Sequence, residues 1–97
     1  MKVIWTPEAE ADRLAIGDYI AADNPRAAIA IDLLLGTSVL KLVDFPRSGR
    51  PGLVPDTREL LPHPSYRIVY EIRDGVVWIV AVVHTARQWP PMPEGGS

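Results

Sequence analysis

The sequence predicts an α+β domain: an N-terminal strand and a helical hairpin, then a three-stranded antiparallel sheet packed on the helices. Three observations carry that prediction. Residues 65 to 89, SYRIVYEIRDGVVWIVAVVHTARQW, are rich in β-branched and aromatic residues on both sides of Asp74-Gly75, a dipeptide that favours a two-residue type I′ turn. Thr6-Pro7 and Asn24-Pro25 each put a capping side chain directly before a proline suited to the first helical position. Between residues 27 and 43 the apolar residues recur at helical spacing.

Taken in order, residues 2 to 5, KVIW, make a short strand. The helix opened by Thr6 carries Glu8 and Glu10 in its first turn, where the helix dipole favours acids, and runs to about Ala22. Ala9, Ile16 and Ile20, with Tyr19 beside them, mark its buried stripe; Gly17 weakens it by roughly 1 kcal/mol relative to Ala. A second helix from Pro25 reaches about Val43 and completes an αα-hairpin. Its stripe is Ala28, Ile31, Leu35, Val39 and Leu42, yet Ile29, Leu33 and Leu40 lie around the other side. Either Leu33 and Leu40 rest against the first helix or they meet a partner, and a domain with one sheet face and one neighbouring helix has little room for the first arrangement.

Residues 44 to 56, DFPRSGRPGLVPD, form a Pro/Gly-rich loop carrying Arg47 and Arg50. TRELL, residues 57 to 61, reads as a strand and PHP as the turn into the hairpin. Strict alternation from the Asp74-Gly75 turn puts Arg73 opposite Val76, Ile72 opposite Val77, Glu71 opposite Trp78 and Arg67 opposite Val82. The core face is then Tyr66, Ile68, Tyr70 and Ile72 with Val77, Ile79, Ala81 and Val83. The opposite face, expected to be bare, carries Arg67 and His84 as diagonal neighbours. Residues 1–90 form one domain, and 91–97, PMPEGGS, a flexible tail whose Gly-Gly-Ser has the composition of an appended linker.

Composition narrows the function classes. The absence of cysteine removes disulfides and thiolate metal sites and fits a reducing cytoplasm, and His63 and His84 are too few for a zinc site. No signal peptide is expected, and the apolar stretch 27–43 is interrupted too often, by Asp32, Gly36 and Lys41 among others, to span a membrane. The net charge of −2 hides an asymmetry, with seven acids against four bases in residues 1–44 and six arginines against four acids in residues 45–90. That bias suits an anion but falls far short of a dedicated nucleic-acid binder.

No phosphate loop, nucleophile elbow or metal-ligand spacing is present, so no cofactor or metal is expected. What remains is a loose set, Arg50, Arg58, Arg67 and Arg87 with His84, able to bind phosphate oxygens. An RNA-cleaving site built from it would use His84 as general acid or base and the arginines to stabilise the phosphorane, with Glu59, Glu71 or Tyr66 as candidates for the second proton-transfer group.

WTPEAEADRLAIGDYIAADNPRAA, FPRSGRPG, TRELL, YRIVYEI and VVHTARQWP, in that order, resemble the RelE/ParE superfamily of type II toxins, and its ParE branch more closely. The resemblance implies a compact toxin neutralised by a cognate antitoxin whose extended C-terminal segment wraps it, with operator DNA reached only through the antitoxin. RelE-like members cut messenger RNA on the ribosome; ParE-like members poison DNA gyrase. Arg67 matches an arginine that RelE-like enzymes expose on the sheet, Arg87 falls near a second, and His84 resembles a histidine of some nuclease members. The lysines usual on the strand before the hairpin are absent: residues 57–61 offer Arg58 and Glu59. Where relatives often have Leu, this chain has Arg13, with Leu14 next to it.

The sequence therefore leads to a cytoplasmic toxin acting on gyrase, with Arg50, Arg58, Arg67, Arg87 and Trp89 meeting the target and Leu33, Leu40 and Trp78 meeting the antitoxin. The alternatives are a ribosome-dependent nuclease using Arg67, His84 and Arg87, and a non-toxic antitoxin-binding co-repressor.

Overall fold

The computed structural model describes residues 1–86, 89 and 90. Strand β1 (Lys2–Trp5) leads through Thr6 into α1 (Pro7–Ala21), and a tight connection returns the chain along α2 (Pro25–Leu40) and a 3-10 turn at Lys41–Val43. Both helices start as their capping residues require: Thr6 Oγ1 accepts from Ala9 N at 3.2 Å and Asn24 Oδ1 from Ala27 N at 3.1 Å, with a proline following each. A two-residue β2 (Arg50–Pro51), β3 (Thr57–His63), β4 (Tyr66–Arg73) and β5 (Val76–His84) follow.

Among the described residues the sheet has five strands, in the order β1-β5-β4-β3-β2. Its three long strands are the predicted antiparallel meander, β1 joins β5 in parallel, and β2 adds a stub at the far edge. The helical hairpin covers one face. Ala9 of α1 and Leu35 and Val39 of α2, with Leu42, pack on Ile68, Tyr70, Val77 and Ile79, all at most 2 % exposed. Ala28 and Ile31 continue the α2 stripe at its edge, whereas Tyr19, placed beside the α1 stripe by its spacing, is 81 % exposed.

Tyr70 ties the long loop to this core. Its hydroxyl donates to Pro46 O at 2.8 Å and accepts from Gly49 N at 2.9 Å. The approach leaves no room for a side chain at 49: a Cβ there would lie 2.6 Å from the tyrosine oxygen. Burial raises the Tyr70 pKa above the ordinary phenol value, against the Gly49 hydrogen bond and the nearby Arg58 guanidinium, which lower it.

Arg13 performs a second fastening. Its guanidinium grips both carboxylate oxygens of Asp32 at 2.6 and 3.1 Å, donates to the Asp32 carbonyl, and lies 4.9 Å from the Trp5 ring centroid. Gly36 on α2 provides the space, since a Cβ there would stand 2.9 Å from an Arg13 nitrogen. One cation thus joins α1, α2 and β1 where the sequence pattern suggested only an interrupted helix stripe.

Candidate functional site

The turn forms as its residues demand. Asp74 and Gly75 both adopt positive φ, 52° and 74°, and Arg73↔Val76, Ile72↔Val77 and Glu71↔Trp78 pair as expected. Beyond Tyr70↔Ile79 the register slips: Val69 pairs with Ala81, leaving Val80 as the extra residue of a β-bulge. From there every β5 side chain changes face. Val82, not Ala81 or Val83, enters the core cluster, Arg67 lies opposite Val83, and His84 lies opposite Tyr66.

Arg67 and His84 are therefore on opposite faces of the sheet, and the expected pairing of the two is overturned by that one inserted residue. His84 is exposed on the helix side, with its ring edge-on to Tyr66 at 5.5 Å and its Nδ1 accepting from Ala86 N at 3.1 Å. On the far side of the same tyrosine, His63 Nδ1 accepts from Ser65 N at 3.0 Å. Neutral, both imidazoles then carry their proton on Nε2.

The outer face is not bare. Val69, Ala81, Glu59 and Arg67 on it are 0, 3, 4 and 9 % exposed. The buried guanidinium is held there by a buried anion: Glu59 Oε2 stands 3.6 Å from Arg67, and its other oxygen accepts from the exposed Arg50 at 3.2 Å. Arg58 leaves this group altogether, since it shares the helix side with Tyr70 and donates to the carbonyls of Gly49 and Arg47. Arg87 lies outside the described residues, and Trp89 is half-buried. Trp78 keeps its predicted face opposite Glu71, with Arg73 5.1 Å over its ring and its buried Nε1 without a hydrogen bond among the described residues. Sequence reading named Glu59 only as a candidate proton-transfer group; the Glu59↔Val69 pairing puts it on the Arg67 face as counter-ion.

On the helices, Ile29, Leu33 and Leu40 are 70, 65 and 66 % exposed, and Leu14 of α1 is 69 % exposed. Leu33 and Leu40 do not rest against α1. Leu14 and Leu33 directly follow the ion-paired Arg13 and Asp32, so they stand near one level of the hairpin, an exposed apolar ridge to which both helices contribute. Among the described residues no group of three or more His, Cys, Asp or Glu could hold a metal ion, and no helix is long and apolar enough to cross a membrane.

The family described as "ParE toxin of type II toxin-antitoxin system, parDE" matches residues 3–89. The chain belongs to the ParE toxin family. This ParE-family chain is 43 % identical over 90 residues to the putative toxin Y4kP of Sinorhizobium fredii, covering 92 % of one and 93 % of the other. It is 42 % identical over 86 residues to Toxin RelE2 of Caulobacter vibrioides, covering 89 % and 97 %. A solved chain of the chromosomal ParDE TA system from P. aeruginosa superposes with a TM-score of 0.78 at 26 % identity, over 87 % of this chain and 95 % of that one. The chain is thus a toxin of the type II toxin–antitoxin class, and such membership implies a cognate antitoxin.

Proposed function

We propose that this toxin acts in the cytoplasm by poisoning DNA gyrase, trapping its cleaved-DNA complex without covalent chemistry of its own. The carrying observation is the separation of the groups a nuclease would need. Arg67 is neutralised by Glu59 on the outer face, and His84 lies on the other side of the sheet. Among the described residues, then, Arg67 and His84 do not meet one phosphate, which supports a reading without acid–base chemistry at that pair.

Purified gyrase with supercoiled DNA and ATP accumulates linear product when the toxin is added. Unchanged supercoiling at large toxin excess, with cleavage of ribosome-bound messenger RNA instead, overturns the reading. His84→Ala keeps full toxicity in cells, whereas a nuclease relying on that imidazole loses it.

The antitoxin covers the exposed ridge of the helical hairpin, which includes Leu33 and Leu40. Leu33→Glu and Leu40→Glu each weaken antitoxin binding, measured by titration calorimetry. Both sites are mostly exposed, so each shifts stability by less than about 0.5 kcal/mol in a thermal melt.

A further inference from the structure

The exposed stripe of α2 follows a rule of its own. Ile29, Leu33 and Leu40, with Val43 just past the helix, are spaced by four, seven and three residues, the spacing of a seam that packs on another helix. Beside that seam lies α1, joined to α2 through Arg13 and Asp32, and it adds Leu14 near Leu33. Thr37, exposed on α2, does not oppose burial, since its hydroxyl already donates to Leu33 O at 2.8 Å.

The charges at the two ends of α2 run against its own dipole. Arg26 stands in the first turn, where the helix disfavours a cation and no acid accompanies it. Asp44 closes the 3-10 turn at the other end, where an anion is disfavoured. Both residues are exposed, and neither has an ion pair among the described residues. A helix of the same kind running the opposite way corrects both placements, because its anionic end arrives at Arg26 and its cationic end at Asp44. A second copy of α2 is such a helix. Turned about the point midway between Ile29 and Leu40, α2 maps Ile29 onto Leu40, Leu33 onto Gly36 and Arg26 onto Val43, the neighbour of Asp44. Leu33 then meets a position that bears no side chain.

We propose that the outer side of the helical hairpin is a self-association surface, on which two copies of this chain pair about a two-fold axis with α2 antiparallel to α2. Ile29 packs on the partner's Leu40, and Arg26 meets the partner's Asp44. A contact of this extent stands at the small end of specific interfaces, below about 1,200 Å² in total, and gives a dissociation constant on the order of micromolar. The pairing does not rest on the antitoxin reading of the same ridge. It adds a competition, in which the free toxin covers with itself what the antitoxin covers in the complex.

Sedimentation velocity of the full chain over a range of concentrations shows a monomer–dimer equilibrium. Leu33→Glu, close to the axis and 65 % exposed in the single chain, raises the dissociation constant at least about tenfold. Arg26→Glu sets like charges together at both ends and weakens the dimer about threefold or more. Adding Asp44→Arg restores it. Both charge changes suit the dipole of α2, so a dimer lost in Arg26→Glu is not a helix lost. Tyr19→Glu, exposed on the side of α1 turned to β5, changes nothing. A chain monomeric up to about millimolar concentration, a dimer indifferent to Leu33→Glu, failure of Asp44→Arg to restore it, or dissociation by Tyr19→Glu overturns the inference. Calorimetric titration with the antitoxin separates the two readings of the ridge. A dimer lost in Leu33→Glu with antitoxin binding unchanged keeps self-association and takes the antitoxin off the ridge; antitoxin binding lost with the dimer intact does the reverse.

Discussion

Between its turn and Ile79 the β4–β5 hairpin keeps the register that Asp74 and Gly75 dictate, with Glu71 opposite Trp78; between Ala81 and His84 it does not, and Arg67 meets Val83 instead of Val82. Both halves have the same composition of β-branched residues, so composition does not separate them. A turn fixes pairing only as far as the ladder is unbroken, and one unpaired residue resets every side chain after it. At this site the reset decides which side chains share a face, because it removes His84 from the side on which Arg67 sits and turns it to the helix side.

The sharpest way to break the contrast is a charge at Val82, which lies in the core only because of the slip. Val82→Asp shows no cooperative thermal transition by circular dichroism, whereas Val83→Asp, on the outer face, keeps one. Loss of the transition in Val83→Asp alone would put the slip elsewhere.

Next in size is Glu59→Ala, which strips the buried anion from Arg67 in the shifted half. It destabilises by about 3 kcal/mol in urea titration, since the guanidinium stays buried without that charge. Glu59→Gln costs less, because it preserves shape and an acceptor.

Tyr70 sits beside the break and adds a pH dependence. Its pKa is raised in the fold, so the folded state holds the phenol proton more tightly than the unfolded chain. That contribution is complete below the unfolded value near 10 and is lost as pH climbs through the folded one. Stability measured by urea titration therefore falls above pH 10, and Tyr70→Phe flattens the fall.

The smallest effect is expected at the turn. Gly75→Ala, at φ 74°, costs about 1 kcal/mol, or some 4–8 °C in melting temperature, without moving the register of either half. An altered pairing of Glu71 with Trp78, read by nuclear Overhauser contacts, would show that the turn governs more than its own half.

The two helices, their caps, the α2 core stripe and the meander were all legible in the sequence, because each rests on a local rule: capping chemistry, a 3.6-residue period, or turn dipeptides. Leu33 and Leu40 were legible as an excess of oil, and their exposure removes the reading in which they pack against the first helix. What could not be read was the bulge, since valine at 80 has the same β preference as its neighbours and carries no mark of being unpaired. The error then spread to everything that depended on parity: the Arg67–His84 pair and the expected core places of Ala81 and Val83. The gathering of Arg50 and Arg67 around Glu59 was hidden for another reason, since it joins β2, β3 and β4 through long-range contacts that no short pattern encodes.

The Arg13 fastening has its own consequence for how this molecule responds to its medium. A pin made of one cation, one carboxylate half in water and an indole face loosens as counter-ions crowd in, while the oil beneath it tightens under the same sulfate or phosphate. Brine would thus slacken the seam between the helices without thawing the layer they sit on.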